Sequence, residues 1–171
     1  MDIVQKGAPV LAEIASEVTK EEFGSPALLK EIEEMEQALD KEKDGVALAA
    51  PQIGIGKRIF IVRYDRMKAP DEFDEHAEPQ VGVFINPELV KISRRTEEMD
   101  EGCLSVRGTY GKTIRHTRAT VRAYDEHGTP FERGAGGVLA QAFQHEIDHL
   151  NGILFVEHAI ELREVVPDTH E

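Results

Sequence analysis

The segment His145-Glu146-Ile147-Asp148-His149 constrains this chain more than any other five residues in it. On a helix, residues i and i+4 share a face, so both imidazoles can reach one ion. Leu139, Ala142 and Phe143 give the same stretch an apolar side on which such a helix can be buried. Asn151-Gly152 then supplies a C-terminal stop. Neutral imidazole nitrogen is a good ligand for zinc, iron or nickel, so the pattern points to one bound cation. Glu146 stands beside the first histidine, where it can take a proton from activated water without itself being a ligand. Alone, the pattern also fits a surface helix carrying these residues by coincidence, and the apolar side weakens that reading.

Two histidines leave an ion short, because a catalytic zinc-type centre uses three protein ligands and keeps one position for water. Cys103, His116, His127, His158 and a carboxylate are the candidates for the third. Cys103 is the only cysteine, which excludes an internal disulfide. In Glu101-Gly102-Cys103-Leu104-Ser105 it lies between strand-like segments and, taken alone, reads as a small buried hydrophobe. A thiolate is nevertheless a strong ligand for a divalent ion. Residue types leave that choice open. A third feature is Gly45-Val46-Ala47-Leu48-Ala49-Ala50-Pro51-Gln52. It reads as a tight loop and helix start whose small residues admit a substrate backbone, with a glutamine able to donate to a developing oxyanion.

The rest of the chain sets the frame. A length of 171 residues predicts one domain spanning residues 1–171. The net charge of -13 argues against a nucleic-acid partner, which needs clustered Lys and Arg. No run approaches the roughly 20 apolar residues of a membrane helix, and residues 1–10 lack a signal-peptide core, which predicts a cytoplasmic protein without a membrane partner. Ser25-Pro26 starts a helix, and Leu28, Ile32, Met35 and Leu39 form its apolar stripe. Residues 45–56 are expected to interrupt regular structure, 58–64 to form a strand and 65–82 a surface excursion. Phe84-Ile85-Asn86-Pro87 leads into a bent or edge strand, and 113–125 is β-rich. Without βαβ alternation, the expectation is an α+β fold with mainly antiparallel sheets around a central metal-binding helix.

Together the three segments resemble the peptide deformylase family, whose pattern is a Gly-x-Gly-x-Ala-Ala-x-Gln loop, a Glu-Gly-Cys-Leu-Ser strand and a Gln-His-Glu-x-Asp-His-Leu helix. The second stands complete as Glu101 to Ser105 and the third as Gln144 to Leu150. The likeness runs from Ile3-Val4 through Phe84-Ile85-Asn86-Pro87 to Gly152-Ile153-Leu154-Phe155-Val156. It implies a hydrolase that removes formyl from N-formylmethionyl peptides, with Cys103, His145 and His149 on one divalent ion. Ferrous iron is the implied native ion, and zinc or nickel can occupy the same site. Glu146 would be general base and then acid, with Gln52 and the Leu104 N–H holding the oxyanion. Gly45, Val46, Ala47, Gly102, Val138 and Ala142 would line the substrate site. Glu101 and Arg115 match a pair expected to brace the cysteine strand.

Departures are few. Ala47 replaces the second glycine of the loop motif, and Arg107 stands where many relatives carry proline. The C-terminal residues are short, acidic and broken by Pro167, so contact with the ribosome is expected to be transient, without a basic docking tail. Two rival readings are a general zinc endopeptidase and a deformylase-like peptide-binding protein without turnover. The complete Glu-Gly-Cys-Leu-Ser strand opposes the first, and the complete catalytic set opposes the second.

Overall fold

Helix α1 (Pro9–Ala12) is one turn, and α2 (Pro26–Asp40) begins where Ser25 and Pro26 predict, with Ser25 Oγ accepting the Leu28 N–H at 3.2 Å. Its stripe of Leu28, Ile32, Met35 and Leu39 is buried. Each such side chain contributes about 1.5–3 kcal/mol. The structure, a computed structural model, describes residues 2–68, 71–72, 76 and 78–165. Among these, no helix is long and apolar enough to cross a membrane.

Five antiparallel strands pair in the order β1 (Ala47–Ala49), β2 (Ile59–Arg63), β3 (Val81–Ile92), β6 (Arg118–Tyr124) and β7 (Pro130–Gly136). A smaller antiparallel sheet orders β4 (Thr96–Cys103), β5 (Val106–His116) and β8 (Ile160–Glu164). Strand β2 is buried on both faces, which explains its unbroken apolar run. Ile59 and Ile61 pack with the α2 stripe, while Phe60 and Val62 pack with Phe143, Ile147 and Leu150 of α3 (Gly137–Leu150). The fold is α+β, with mainly antiparallel sheets around α3.

The 113–125 run is two strands in two sheets, divided at Thr117. Gln144 of α3 seals the crossing: its Oε1 accepts the His116 N–H and its Nε2 donates to the His116 carbonyl, both at 2.9 Å. The metal-binding helix is thereby tied to the strand that leads from one sheet into the other.

Three expectations need correcting. Residues 45–56 contain β1 and a 3-10 turn at Ala50–Ile53, because Ala47, Leu48 and Ala49 find partners in Val62, Ile61 and Phe60. Strand β3 is bent but central rather than an edge, with register shifts between Ile85 and Glu88, where Pro87 has no N–H to give, and between Leu89 and Lys91. The 65–82 excursion includes buried Asp65 in a 3-10 turn (Tyr64–Met67) and the start of β3, while 69–70, 73–75 and 77 lie outside the described residues. Ile160–Glu164 forms β8, which pairs with Thr109, Tyr110 and Lys112 of β5. Met1, Val166, Pro167 and Asp168 lie outside the described residues.

Candidate metal centre

Cys103 comes from the end of β4, and His145 and His149 come from successive turns of α3. Their ligand atoms all lie within 4.8 Å of one another, and no second group of this kind is found among the described residues. Cys103 Sγ is 3.3 Å from His149 Nε2, and the two Nε2 atoms are 3.1 Å apart. Tetrahedral coordination with metal–sulfur and metal–nitrogen bonds of ordinary length sets these separations at about 3.5 and 3.3 Å, so the set fits one ion. The other sequence candidates stay outside: His116 Nδ1 meets the Ser93 carbonyl at 2.7 Å, His127 is on a surface turn, and His158 Nε2 is 3.5 Å from Asp148. Of these candidates, tertiary structure brings Cys103 alone into one group with the two histidines.

Glu101 does more than brace the cysteine strand. Its carboxylate accepts from His145 Nδ1 and Thr113 Oγ1, and from Arg115 Nη2 at 2.7 Å and Nε at 3.1 Å. In the neutral imidazole that a metal ligand must be, donation from Nδ1 would leave His145 Nε2 as the free acceptor. Arg115 also reaches Asp148 at 2.8 Å, linking β5 back to α3. Burial works to raise the Glu101 carboxyl, but hydrogen bonds from His145 and Arg115 outweigh it and hold it at about 2. Burial, and then the charge of His145, push the His149 imidazole well below its ordinary range. The signal for Glu101 was present in the sequence: positions i and i+2 of a strand share a face, so Glu101 and Cys103 belong together.

Glu146 is 4% exposed, and its Oε2 finds no hydrogen bond among the described residues. Burial pushes its carboxyl up to about 7, against the lowering effect of His145. Such a group can both take and return a proton near neutrality. Gln52 Oε1 accepts the Ala49 N–H at 2.9 Å, which orients the amide so that Nε2 donates to Ser105 Oγ at 3.1 Å and leans on Cys103 Sγ at 3.6 Å. The Ser105 N–H also approaches that sulfur, at 3.4 Å.

These groups open onto a cleft of about 420 Å³. Eleven of the twelve sequence-expected residues line it: Gly45, Val46, Ala47, Gln52, Gly102, Cys103, Leu104, Val138, Ala142, His145 and Glu146. His149, 1% exposed, lies behind them. At two places in the cleft a side chain would crowd its neighbours. A Cβ on Gly45 would sit 3.0 Å from both Leu104 Cδ1 and Leu39 Cδ1, and one on Gly102 would sit 2.8 Å from the Tyr110 ring. Ala47 is outside the left-handed region. Sequence reasoning did not place Tyr110, Asp100 or Gln141 at the cleft, nor the Arg107 pair with Glu42 at 2.7 Å.

Comparison with known proteins agrees with this geometry. The model of the polypeptide deformylase family matches residues 1–165. The peptide deformylase of Carboxydothermus hydrogenoformans is 40% identical over 157 residues, covering 92% of this chain and 91% of that protein. That of Halothermothrix orenii is 39% identical over 165 residues, covering 96% of each. An actinonin-bound class I type b peptide deformylase from Acinetobacter baumannii superposes with a TM-score of 0.81 at 34% identity, covering 94% of this chain and 98% of that one. The same enzyme bound to Met-Ala-Ser gives a TM-score of 0.80 at 35% identity, with 91% and 96% covered. With its motifs, fold and cleft in agreement with these relatives, the chain belongs to the polypeptide deformylase family.

Proposed function

We propose that this chain, working as a single domain, removes the formyl group from N-formylmethionine of nascent polypeptides and releases formate. The observation that carries this reading is the convergence of Cys103, His145 and His149 at a cleft that also holds Glu146 and Gln52, in a chain of this family. Cys103, His145 and His149 hold one divalent ion, natively ferrous iron; zinc and nickel suit the same mixed thiolate and imidazole set. Bound there, the ion supplies Lewis acidity toward the formyl carbonyl and toward water.

The remaining roles belong to the protein. Glu146 takes a proton from the attacking water and returns it to the methionine nitrogen as the C–N bond breaks. Gln52 Nε2 and the Leu104 backbone N–H donate to the oxygen on which negative charge develops. Val46, Val138 and Ala142 wall the methionine side chain, while Gly45, Ala47 and Gly102 let the peptide backbone pass close. Its partners are N-formylmethionyl peptides in the cytoplasm, with the ribosome met only transiently. The net charge of -13 supports the absence of nucleic-acid and membrane-surface contacts.

A zinc endopeptidase of the same helix motif is disfavoured by a third ligand that comes from a strand as a thiolate. A turnover-free binder is disfavoured by the intact Glu146 beside the ligand set. One assay separates the three: formate release from formyl-Met-Ala beside cleavage of an unformylated peptide. Formate release alone is expected; cleavage of the unformylated peptide, or neither reaction, contradicts the proposal.

A further inference from the structure

Arg66 lies in the turn after β2, outside the cleft lining, with its side chain 13% exposed. Its Nη1 donates to the carbonyls of Leu39, Glu42 and Gly45 at 3.1, 2.7 and 2.8 Å. Leu39 O lies at the C-terminal end of α2, where it also accepts the backbone N–H groups of Lys41 and Glu42, and the carbonyls at such an end attract a cation. Glu42 and Gly45 belong to the link from α2 to β1. Gly45 is pinched between Leu39 and Leu104 and carries no side chain that could hold it. Its orientation therefore rests on its peptide groups.

A trans peptide places C=O and N–H on opposite sides, and no cis bond is found among the described residues. With the Gly45 carbonyl turned to Arg66, the Val46 N–H is directed away from Arg66. The Val46 carbonyl is taken by the Arg63 N–H at 2.7 Å, while among the described residues no acceptor takes the Val46 N–H. Both Gly45 and Val46 line the cleft.

We propose that Arg66 is a positioning residue for the deformylation substrate: it sets the Gly45–Val46 peptide plane so that the Val46 N–H meets a carbonyl of the bound peptide. This rests on the reading that residues 45–47 receive the substrate backbone. Arg66 touches neither the ligand set nor Glu146, so its effect falls on binding.

The test uses zinc-loaded, ¹⁵N-labelled protein titrated with Met-Ala-Ser, alongside kcat and KM for formyl-Met-Ala-Ser. The Val46 amide resonance should move on binding in the unsubstituted protein, and Arg66→Ala should lose most of that movement. Arg66→Ala should raise KM and the Met-Ala-Ser Kd about fivefold to tenfold, the size of one hydrogen bond, with kcat within about twofold. Arg66→Lys, which keeps the charge and three donors, should recover most of the loss. Equal Val46 movement and equal Kd in Arg66→Ala would overturn the role of Arg66 and leave the substrate-strand reading standing. A Val46 amide that stays still in the unsubstituted protein would instead overturn the substrate-strand reading. A fall in kcat that matches the rise in KM in both variants marks general loosening and also overturns the proposal.

Discussion

Around Cys103, His145 and His149 the groups are held by other buried side chains, whereas the cleft wall at residues 44–47 is held through its backbone. On the metal side, Glu101 alone gathers donors from His145, Thr113 and Arg115. On the wall, Arg66 and the Arg63 N–H take carbonyls from Gly45 and Val46. Arg63 is itself fixed by Asp65 at 2.8 and 3.0 Å and by Asp40. The difference teaches that the two sides should fail differently. Damage on the metal side removes metal affinity or turnover, and damage on the wall removes binding or local stability.

The largest effect tests the metal side. Glu146→Ala should keep the metal and lower formate release on the order of 10²–10⁴-fold, as for a positioned acid and base. Near-normal turnover would remove Glu146 from the mechanism. Next, Glu101→Gln should weaken metal binding by about 10–100-fold in chelator competition, because the support of His145 Nδ1 is altered. Unchanged affinity would return Glu101 to a purely bracing role.

On the wall, Asp65 offers a pH test. Its hydrogen bonds from Arg63, opposed by burial, hold its carboxyl at about 2, below the ordinary 3.8. A depressed carboxyl stabilises the fold above its unfolded value, and that contribution is lost as pH falls from about 4 toward 2. It amounts to at most about 2 kcal/mol. Asp65→Asn should therefore flatten this part of the urea-midpoint profile; a profile of unchanged slope would place the acid sensitivity elsewhere.

The smallest effect belongs to Ala47. Its φ is not left-handed, it lines the cleft, and it packs on the α3 side of the large sheet. Room rather than strain is then what glycine offers here. Ala47→Gly should lower KM for formyl-Met peptides by about twofold to threefold with kcat unchanged, the pattern of uniform binding. An unchanged KM would make the substitution neutral.

Much of this was legible in the residues because it is local. Ser25, Pro26 and a four-three-four stripe specify α2, and two histidines four apart on an apolar helix specify the ligand pair. What escaped is what distance in sequence hides. The 113–125 run carries one β pattern, and only Gln144, arriving from α3, marks where it changes sheets. Strand β8 is short and exposed along its length, so the brief alternation of Ile160 and Leu162 marks no buried face, and its partners are some 50 residues away. Cys103 joins the two histidines only because β4 ends beside α3. Arg66 falls in a stretch read only as a surface excursion, and its three acceptors are backbone carbonyls, which leave no trace in side-chain identity.

The central claim is one divalent ion held by one thiolate and two imidazoles. X-ray absorption at the metal edge of anaerobically purified protein tests it most directly, since the edge identifies the element and the fine structure its neighbours. The account predicts iron with one sulfur near 2.3 Å and two nitrogens near 2.0–2.1 Å, taking about the lengths such ligands show in zinc sites. The sulfur shell should disappear in Cys103→Ala. A shell of nitrogen and oxygen alone in the unsubstituted protein would contradict it.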